Sequence, residues 1–537
     1  MKVLRGQNAC PGTAIGPLWL CPTKKKLHIR AVASMQQELA RFETAKSAVE
    51  NKLQLLYQKA LKQVGEDKAA IFDVHKLLLN DPEMAESIEK LIKKGKIAAE
   101  DAVTQVGDKV TKTFLAMDDD YMKGRATDIR DIVGQLIASL QNEEPVVMPD
   151  ERVIVAADDL TPSLTLQLDK NKILGFITSK GSVNSHTAIL AKTMGIPAIV
   201  AVDYQFTEEE NGQLIAMDGN KGIIYMQPEE EILAKLIAQQ NDETDQNKEL
   251  AKLIGKATIT AKGQKIELAA NIGQMEDLPL VLANDGEAIG LFRSEFLYLG
   301  RDSYPTEEEQ FDAYKAAAVA MKGKRVVIRT LDLGADKTEE YLGLAQEENP
   351  AMGLRAIRLC LQRPDIFKTQ LRAILRASAF GKIAIMFPMI IDQGEVRAAK
   401  NFLSEVKQDL EKNNIAFDKT LEIGIMIETP SAAVLADLLA KEVDFFSIGT
   451  NDLVQYVLAA DRQNSALNYV ARVNHPAVLR LIKQIIDAGH GANIWVGMCG
   501  EAAGDMNMTE TFLAMGIDEL SVAPSKILPM RALILNM

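Results

Sequence analysis

Eight short apolar runs alternate with helical stretches from residue 255 to the C-terminus. They are Glu267–Asn271, Ala288–Phe292, Val326–Leu331, Ile383–Phe387, Ile423–Ile427, Phe445–Ile448, Ile494–Met498 and Glu519–Val522. Each strand in such a series must bury both faces, so regular strand–helix alternation predicts a parallel sheet covered by helices. Eight repeats predict a closed (β/α)8 barrel. In these barrels chemistry gathers at the C-terminal ends of the strands. Here those ends carry Asn271, Arg293, Arg329 with Asp332, Glu428, Asn451 with Asp452, and Cys499-Gly500-Glu501. One polar residue closing an apolar run is a common way to leave a sheet. Six strand ends with complementary chemistry ask for a ligand.

The remainder of the 537 residues is organised differently. Residues 1–22 read as short strands broken by Pro11-Gly12 and Gly16-Pro17. Residues 25–142 are helical. Met35, Leu39, Phe42, Val49, Leu53, Leu56 and Ala60 share one face, and Asp81-Pro82 and Gly95 bound a further helix. Residues 143–228 return to a small α/β pattern with strands at Val153–Ala156, Ile173–Thr178, Ala198–Val202, Leu214–Met217 and Ile223–Met226. The helical block is inserted in this α/β domain if the N-terminal strands join the same sheet. Residues 229–254 read as a solvated linker helix, and 255–537 as the barrel. The whole is a multidomain α/β chain.

Composition excludes several roles. Lys plus Arg number 61 against 74 Asp plus Glu, a net charge of −13, which disfavours a generic nucleic-acid coat. No window approaches the 18 uncharged apolar residues of a membrane span, and the N-terminus has no signal-peptide core. The four cysteines lie far apart without CxxC spacing, which argues against a disulfide scaffold or structural zinc and fits a reducing cytoplasm.

The candidate site residues follow from their chemistry. Arg293, Arg329, Arg355 and Arg462, with Lys337, suit a small anion holding phosphate and carboxylate, because a guanidinium binds either bidentately. Ion pairing with Glu295, Asp332 or Asp461 would be the purely structural use of the same arginines. Glu428 and Asp452 close neighbouring strands, and two carboxylates beside a phosphate suit octahedral Mg²⁺; a general acid/base pair is the weaker reading. Cys499 is either a small buried hydrophobe or, beside a glycine-rich loop, a proton donor. Of the five histidines, His28, His75, His475 and His490 read as structural or surface groups. His186, in KGSVNSHTAILAKTMGIPAIV, follows a strand and a Gly181-containing loop and opens a short helix. There it either caps the helix or acts as a nucleophile whose phosphoryl group the helix N-terminus would stabilise.

The His186 segment, IGIMIETP, SIGTNDLVQYVLAADR and GMCGE together resemble the Enzyme I family of the bacterial phosphotransferase system, the phosphoenolpyruvate (PEP)–protein phosphotransferases among the PEP-utilising enzymes. The resemblance extends from the AC-PG-AIG start through GEDKAAIFDVHKLLL and RATDIRDI to the last strand. It implies a swivelling phosphohistidine domain (1–24 and 143–228), an HPr-binding helical domain (25–142) and a PEP-binding barrel. It implies Mg²⁺ on Glu428 and Asp452, and PEP held by Arg293, Arg329, Lys337, Arg355, Asn451 and Arg462. His186 becomes the phosphorylated nucleophile and Cys499 the donor of a proton to the enolate. The partners implied are PEP and pyruvate, the carrier protein HPr, and a second copy of the chain through the barrel, in the cytoplasm. Some positions depart from the pattern: Asn184 stands where Thr is common, Ala335 where a second Gly is usual, and Leu354 where Trp often stands. The chain also stops a few dozen residues earlier than typical members, which predicts a largely missing eighth barrel helix and puts barrel closure in question. Two rivals remain at this point. A dikinase or PEP synthase would need an ATP-binding domain for which no residues remain. A regulatory paralogue would bind PEP or HPr without turnover.

Overall fold

A computed structural model describes the chain apart from residues 22–31, 33, 65, 96, 116–119, 143–147, 161, 166–167, 183–184, 186, 189–190, 193–194, 300, 302, 335–340, 342, 345–346, 462–463, 465–466 and 468, and the side chains of 59–64, 66–71, 115, 120–125, 127, 162 and 165. Two compact units emerge, Met1–Asp245 and Gln246–Met537. The boundary between them falls inside the helix Glu230–Ala251, the segment whose polar middle reads as a linker.

In the first unit, strands β1 (Lys2–Arg5), β2 (Gln7–Cys10) and β3 (Thr13–Leu20) precede five helices. These are α1 (Met35–Val64), α2 (Glu66–Leu79), α3 (Pro82–Gly95), α4 (Ala99–Leu115) and α5 (Asp120–Leu140). Strands β4 (Val153–Ala157), β5 (Ile173–Thr178), β6 (Ala198–Val200), β7 (Leu214–Asp218) and β8 (Ile223–Met226) follow. All eight form one sheet in the order β1-β8-β7-β3-β4-β5-β6-β2. β3, before the helices, pairs parallel with β4 and antiparallel with β7, both after them. The N-terminal strands therefore do join the later sheet.

The helices obey their sequence. In α3 the Asp81 side chain accepts the Met84 N–H at 2.8 Å, and Pro82 fills the first turn, where no N–H is needed. Met84, Ile88 and Ile92, four residues apart, are the buried face. They join Phe42, Val49 and Leu53 of α1 in one apolar cluster. Arg41 ties the block together: it bonds Glu100 at 2.6 Å, Glu38 at 2.7 Å and the Leu140 carbonyl at 2.8 Å.

The second unit is the barrel. Its strands are β9 (Glu267–Ile272), β10 (Ala288–Arg293), β11 (Val326–Arg329), β12 (Ile383–Phe387), β13 (Glu422–Ile427), β14 (Phe445–Ile448), β15 (Trp495–Met498) and β16 (Glu519–Val522). Every neighbouring pair is parallel, and β16 pairs with β9 to close the ring. The expected loss of the eighth helix is not observed. The helix Ile527–Leu535 follows β16, and Ile527, Met530 and Ile534 are buried against the barrel core. Arg531 anchors it from a fully buried position: it donates to Asp285 Oδ2 at 2.7 Å, to the Asp285 carbonyl at 2.8 Å, to the Leu253 carbonyl and to Thr258 Oγ1, both at 3.1 Å. A short helix can finish this barrel because one guanidinium satisfies polar groups that would otherwise be buried unpaired. Arg531→Met is expected to lower barrel stability by about 2 kcal/mol, the cost of leaving the Asp285 and Leu253 carbonyls without their donor while Asp285 keeps the Gly255 N–H and Lys324. A lower urea midpoint for the barrel transition checks this.

Candidate active site at the barrel mouth

The C-terminal strand ends bring buried charges together. Arg329 ends β11, and its guanidinium meets Asp332 at 2.9 Å and Glu295 at 3.1 Å. Arg355 precedes the helix Ala356–Gln362 and bonds the other oxygen of Asp332 at 2.9 Å. It also lies 3.5 Å from Asp452 and reaches the Tyr456 hydroxyl at 3.4 Å. Burial opposes the charge on both arginines, yet Asp332 together with Glu295 at Arg329 and Asp452 at Arg355 outweighs it and holds both pKa values above the ordinary range. They are permanent cations.

Glu428 follows β13 and is buried. Its Oε1 accepts the Met389 N–H at 2.7 Å, while Oε2 is buried with no hydrogen-bond donor among the described residues. A side chain at Gly449 would crowd this carboxylate, since a β-carbon there would lie 2.8 Å from Oε2. Burial first, then the nearby Asp452 and Asp332 carboxylates, raise the pKa of Glu428. Among the described residues, four buried carboxyl groups (Glu295, Asp332, Glu428, Asp452) thus face two buried guanidinium groups, Arg329 and Arg355. Among the described residues no three His, Cys, Asp or Glu ligands converge as a protein-built metal cage. A hard divalent cation completed by substrate oxygens needs only one or two carboxylates, and Glu428 with Asp452 fits that donor set.

The other expected residues divide. Arg293 ends β10 in register with Arg329, but its side chain is exposed. Asn451, in the first turn of the helix Thr450–Leu458, donates to Glu501 Oε1 at 3.0 Å and accepts the Glu501 N–H at 2.8 Å. It thereby joins the loops that follow β14 and β15. Cys499 follows β15 and packs among Leu291, Val327, Met386, Met426 and Phe445 in the barrel interior. Its thiol lies 3.8 Å from the Ile448 carbonyl. Burial pushes the Cys499 pKa up to about 11, with Arg329 and a Ser447 hydrogen bond pulling back. His186, Lys337 and Arg462 lie outside the described residues. Two of the remaining histidines hold structure, as expected. His75 is buried against Asp128, and His475 Nδ1 accepts the Ala477 N–H at 3.2 Å to cap the helix Pro476–Gly491.

Sequence reasoning missed Tyr456, the hydroxyl partner of Arg355. The available signal was its place one helical turn after Asp452, which puts both side chains on the same face. It also missed the Met389 N–H, a backbone donor that leaves no mark in composition.

Comparison with known proteins defines the class first. Three family models match, all of PEP-utilising enzymes: the N-terminal model over residues 5–125, the mobile-domain model over 149–222 and the PEP-binding-domain model over 247–537. The relatives narrow it further. The phosphoenolpyruvate-protein phosphotransferase of Staphylococcus carnosus is 45% identical over 99% of this chain and 94% of its own. That of Bacillus subtilis is 44% identical, again over 99% of this chain and 94% of its own. An NMR structure of Enzyme I (nEIt) is 34% identical and covers 45% of this chain and 99% of its own, at a TM-score of 0.38. The chain belongs to the phosphoenolpyruvate-protein phosphotransferase family of PEP-utilising enzymes. Among the described residues no helix is long and apolar enough to cross a membrane.

All four cysteines are buried, and burial raises the pKa of each. With Cys499 at about 11, its thiolate fraction at pH 7 is on the order of 10⁻⁴. The native protein is therefore expected to show no fast thiol in a DTNB titration at pH 7. Labelling of Cys499 should accelerate as pH rises toward 11.

Proposed function

We propose that this chain transfers the phosphoryl group of PEP to its own His186 and then to a histidine of an HPr-type phosphocarrier protein, the first step of sugar uptake by the phosphotransferase system. The observation that carries this reading is 45% identity over 99% of the chain with a relative named for the PEP-dependent reaction. The charges at the barrel mouth support the chemistry.

Phosphoryl transfer asks a protein mainly for positioning and charge neutralisation. Arg329 and Arg355, aimed by Asp332, with Arg293, Lys337, Arg462 and Asn451, would hold the phosphate and carboxylate of PEP. Glu428 and Asp452 would hold Mg²⁺, which supplies further neutralisation of the phosphate and the developing enolate. An imidazole nitrogen of His186 forms the N–P bond as the P–O bond to the enol oxygen breaks. The enolate carbon C3 then takes the proton of the Cys499 thiol: a C–H bond forms, the S–H bond breaks and the carbonyl of pyruvate results. A thiol with a pKa of about 11 arrives protonated, and its thiolate recovers a proton from water. In this reading residues 1–24 and 143–228 carry the phosphohistidine, 25–142 dock the carrier, and 229–254 link both to a barrel that pairs with a second copy. The protein works in the cytoplasm.

Incubation with ³²P-labelled PEP and Mg²⁺ is expected to place acid-labile phosphate on the wild-type chain. His186→Ala should take up none, and EDTA should suppress uptake by wild type. An unlabelled wild type with Mg²⁺ present would refute the reading.

A further inference from the structure

Asn271 lies near the C-terminal end of β9 and ends no ion pair, yet its amide is fully committed. Nδ2 donates to the carbonyl of Cys499 and to the carbonyl of Ser521, both at 3.0 Å. Oδ1 accepts the Ser521 hydroxyl at 2.7 Å. An asparagine amide has two N–H donors, so neither is left for a substrate. In the barrel β9 lies beside β16, and β16 beside β15. The side chain therefore reaches past the end of β16 to the residue that follows β15. On its other side Cys499 donates its own N–H to the Ile448 carbonyl at 3.1 Å. The Cys499 peptide groups are thus gripped from β14 and from β9, which fixes the direction of its Cα–Cβ bond.

Ser521 completes the arrangement. It is fully buried, and Gly290 on β10 leaves the space it occupies, since a β-carbon at 290 would stand 2.6 Å from Ser521 Oγ. Reciprocal bonding between Asn271 and Ser521 holds the amide plane in one orientation and saves it from a choice of rotamers.

We infer that Asn271, oriented by Ser521, is a positioning residue that aims the Cys499 thiol at one face of the enolate carbon. The inference rests on Cys499 being the proton donor. Its consequence is stereochemical. With the carbonyl of Cys499 released, the strand end relaxes, the thiol loses its alignment and water protonates C3 from either face.

The test uses the full-length protein, PEP stereospecifically deuterated at C3, and tritiated water. The chirality of the pyruvate methyl group is read beside His186 phosphorylation in a single turnover. Asn271→Ala is expected to phosphorylate within about twofold of wild type with KM for PEP unmoved, while methyl chirality is lost and kcat falls about tenfold or more, as a small misplacement of a reacting group would require. Ser521→Ala, a milder change that keeps both N–H donations, should move chirality in the same direction and decides the matter if Asn271→Ala fails to fold. Retained chirality in the folded variants, or a rise in KM with kcat unchanged, overturns the assignment. Cys499→Ala separates the two layers. If it too keeps chirality, the proton-donor reading has failed and the inference with it; if it alone loses chirality, only the role of Asn271 has failed.

Discussion

Asp332 receives two buried guanidinium groups, one on each oxygen, and the barrel mouth depends on that sharing. Neither Arg329 nor Arg355 could stay charged away from water without a carboxylate in contact. Arg329 also meets Glu295, and Arg355 lies beside Asp452, so the shared aspartate joins all of them in one buried network. The mouth is therefore built with fixed cations held in place by buried carboxylates. Groups held this way are preorganised, which spares the reorganisation that a flexible site would undergo.

The net charge of −13 takes on a different meaning beside this site. A chain that repels anions on average must confine its attraction to a small region, and burial does so. At the protein surface, salt would screen the same arginines within about 10 Å. In the interior their field is little screened.

Much of this was legible in the sequence because it depends on local pattern. The eight barrel strands were found within a residue or two, since apolar runs and their polar closures are written consecutively in the chain. Strand ends then nominated Arg329, Glu428, Asp452 and Cys499. Pairings between distant segments were not legible. Arg293 and Arg329 both close barrel strands, and the burial of Arg329 comes with a partner 34 positions away, Glu295, as well as with Asp332 close by in the chain. Tyr456 stands 101 positions from Arg355, and Asn271 stands 228 from Cys499. The eighth helix was misjudged for a related reason. Counting residues measured its length, whereas its hold on the barrel comes from the apolar packing of Ile527, Met530 and Ile534 and the hydrogen bonds of buried Arg531.

The pairing of β3 with β4 and β7 has a consequence for synthesis. Lys2 ends up opposite Met226, and Gln7 opposite Val200. A chain emerging from the ribosome N-terminus first has β1, β2 and β3 exposed while the helical block is still being made. The contacts of α1 through α5 lie largely within the block, from α1 to α5, so it can fold once α5 has emerged. Strand β3 finds its first partner, β4, just after that block, but β2 waits as an open edge for β6 and β1 for β8, the last strand of the sheet. Strand β1 is among the last in its sheet to find its partner, β8.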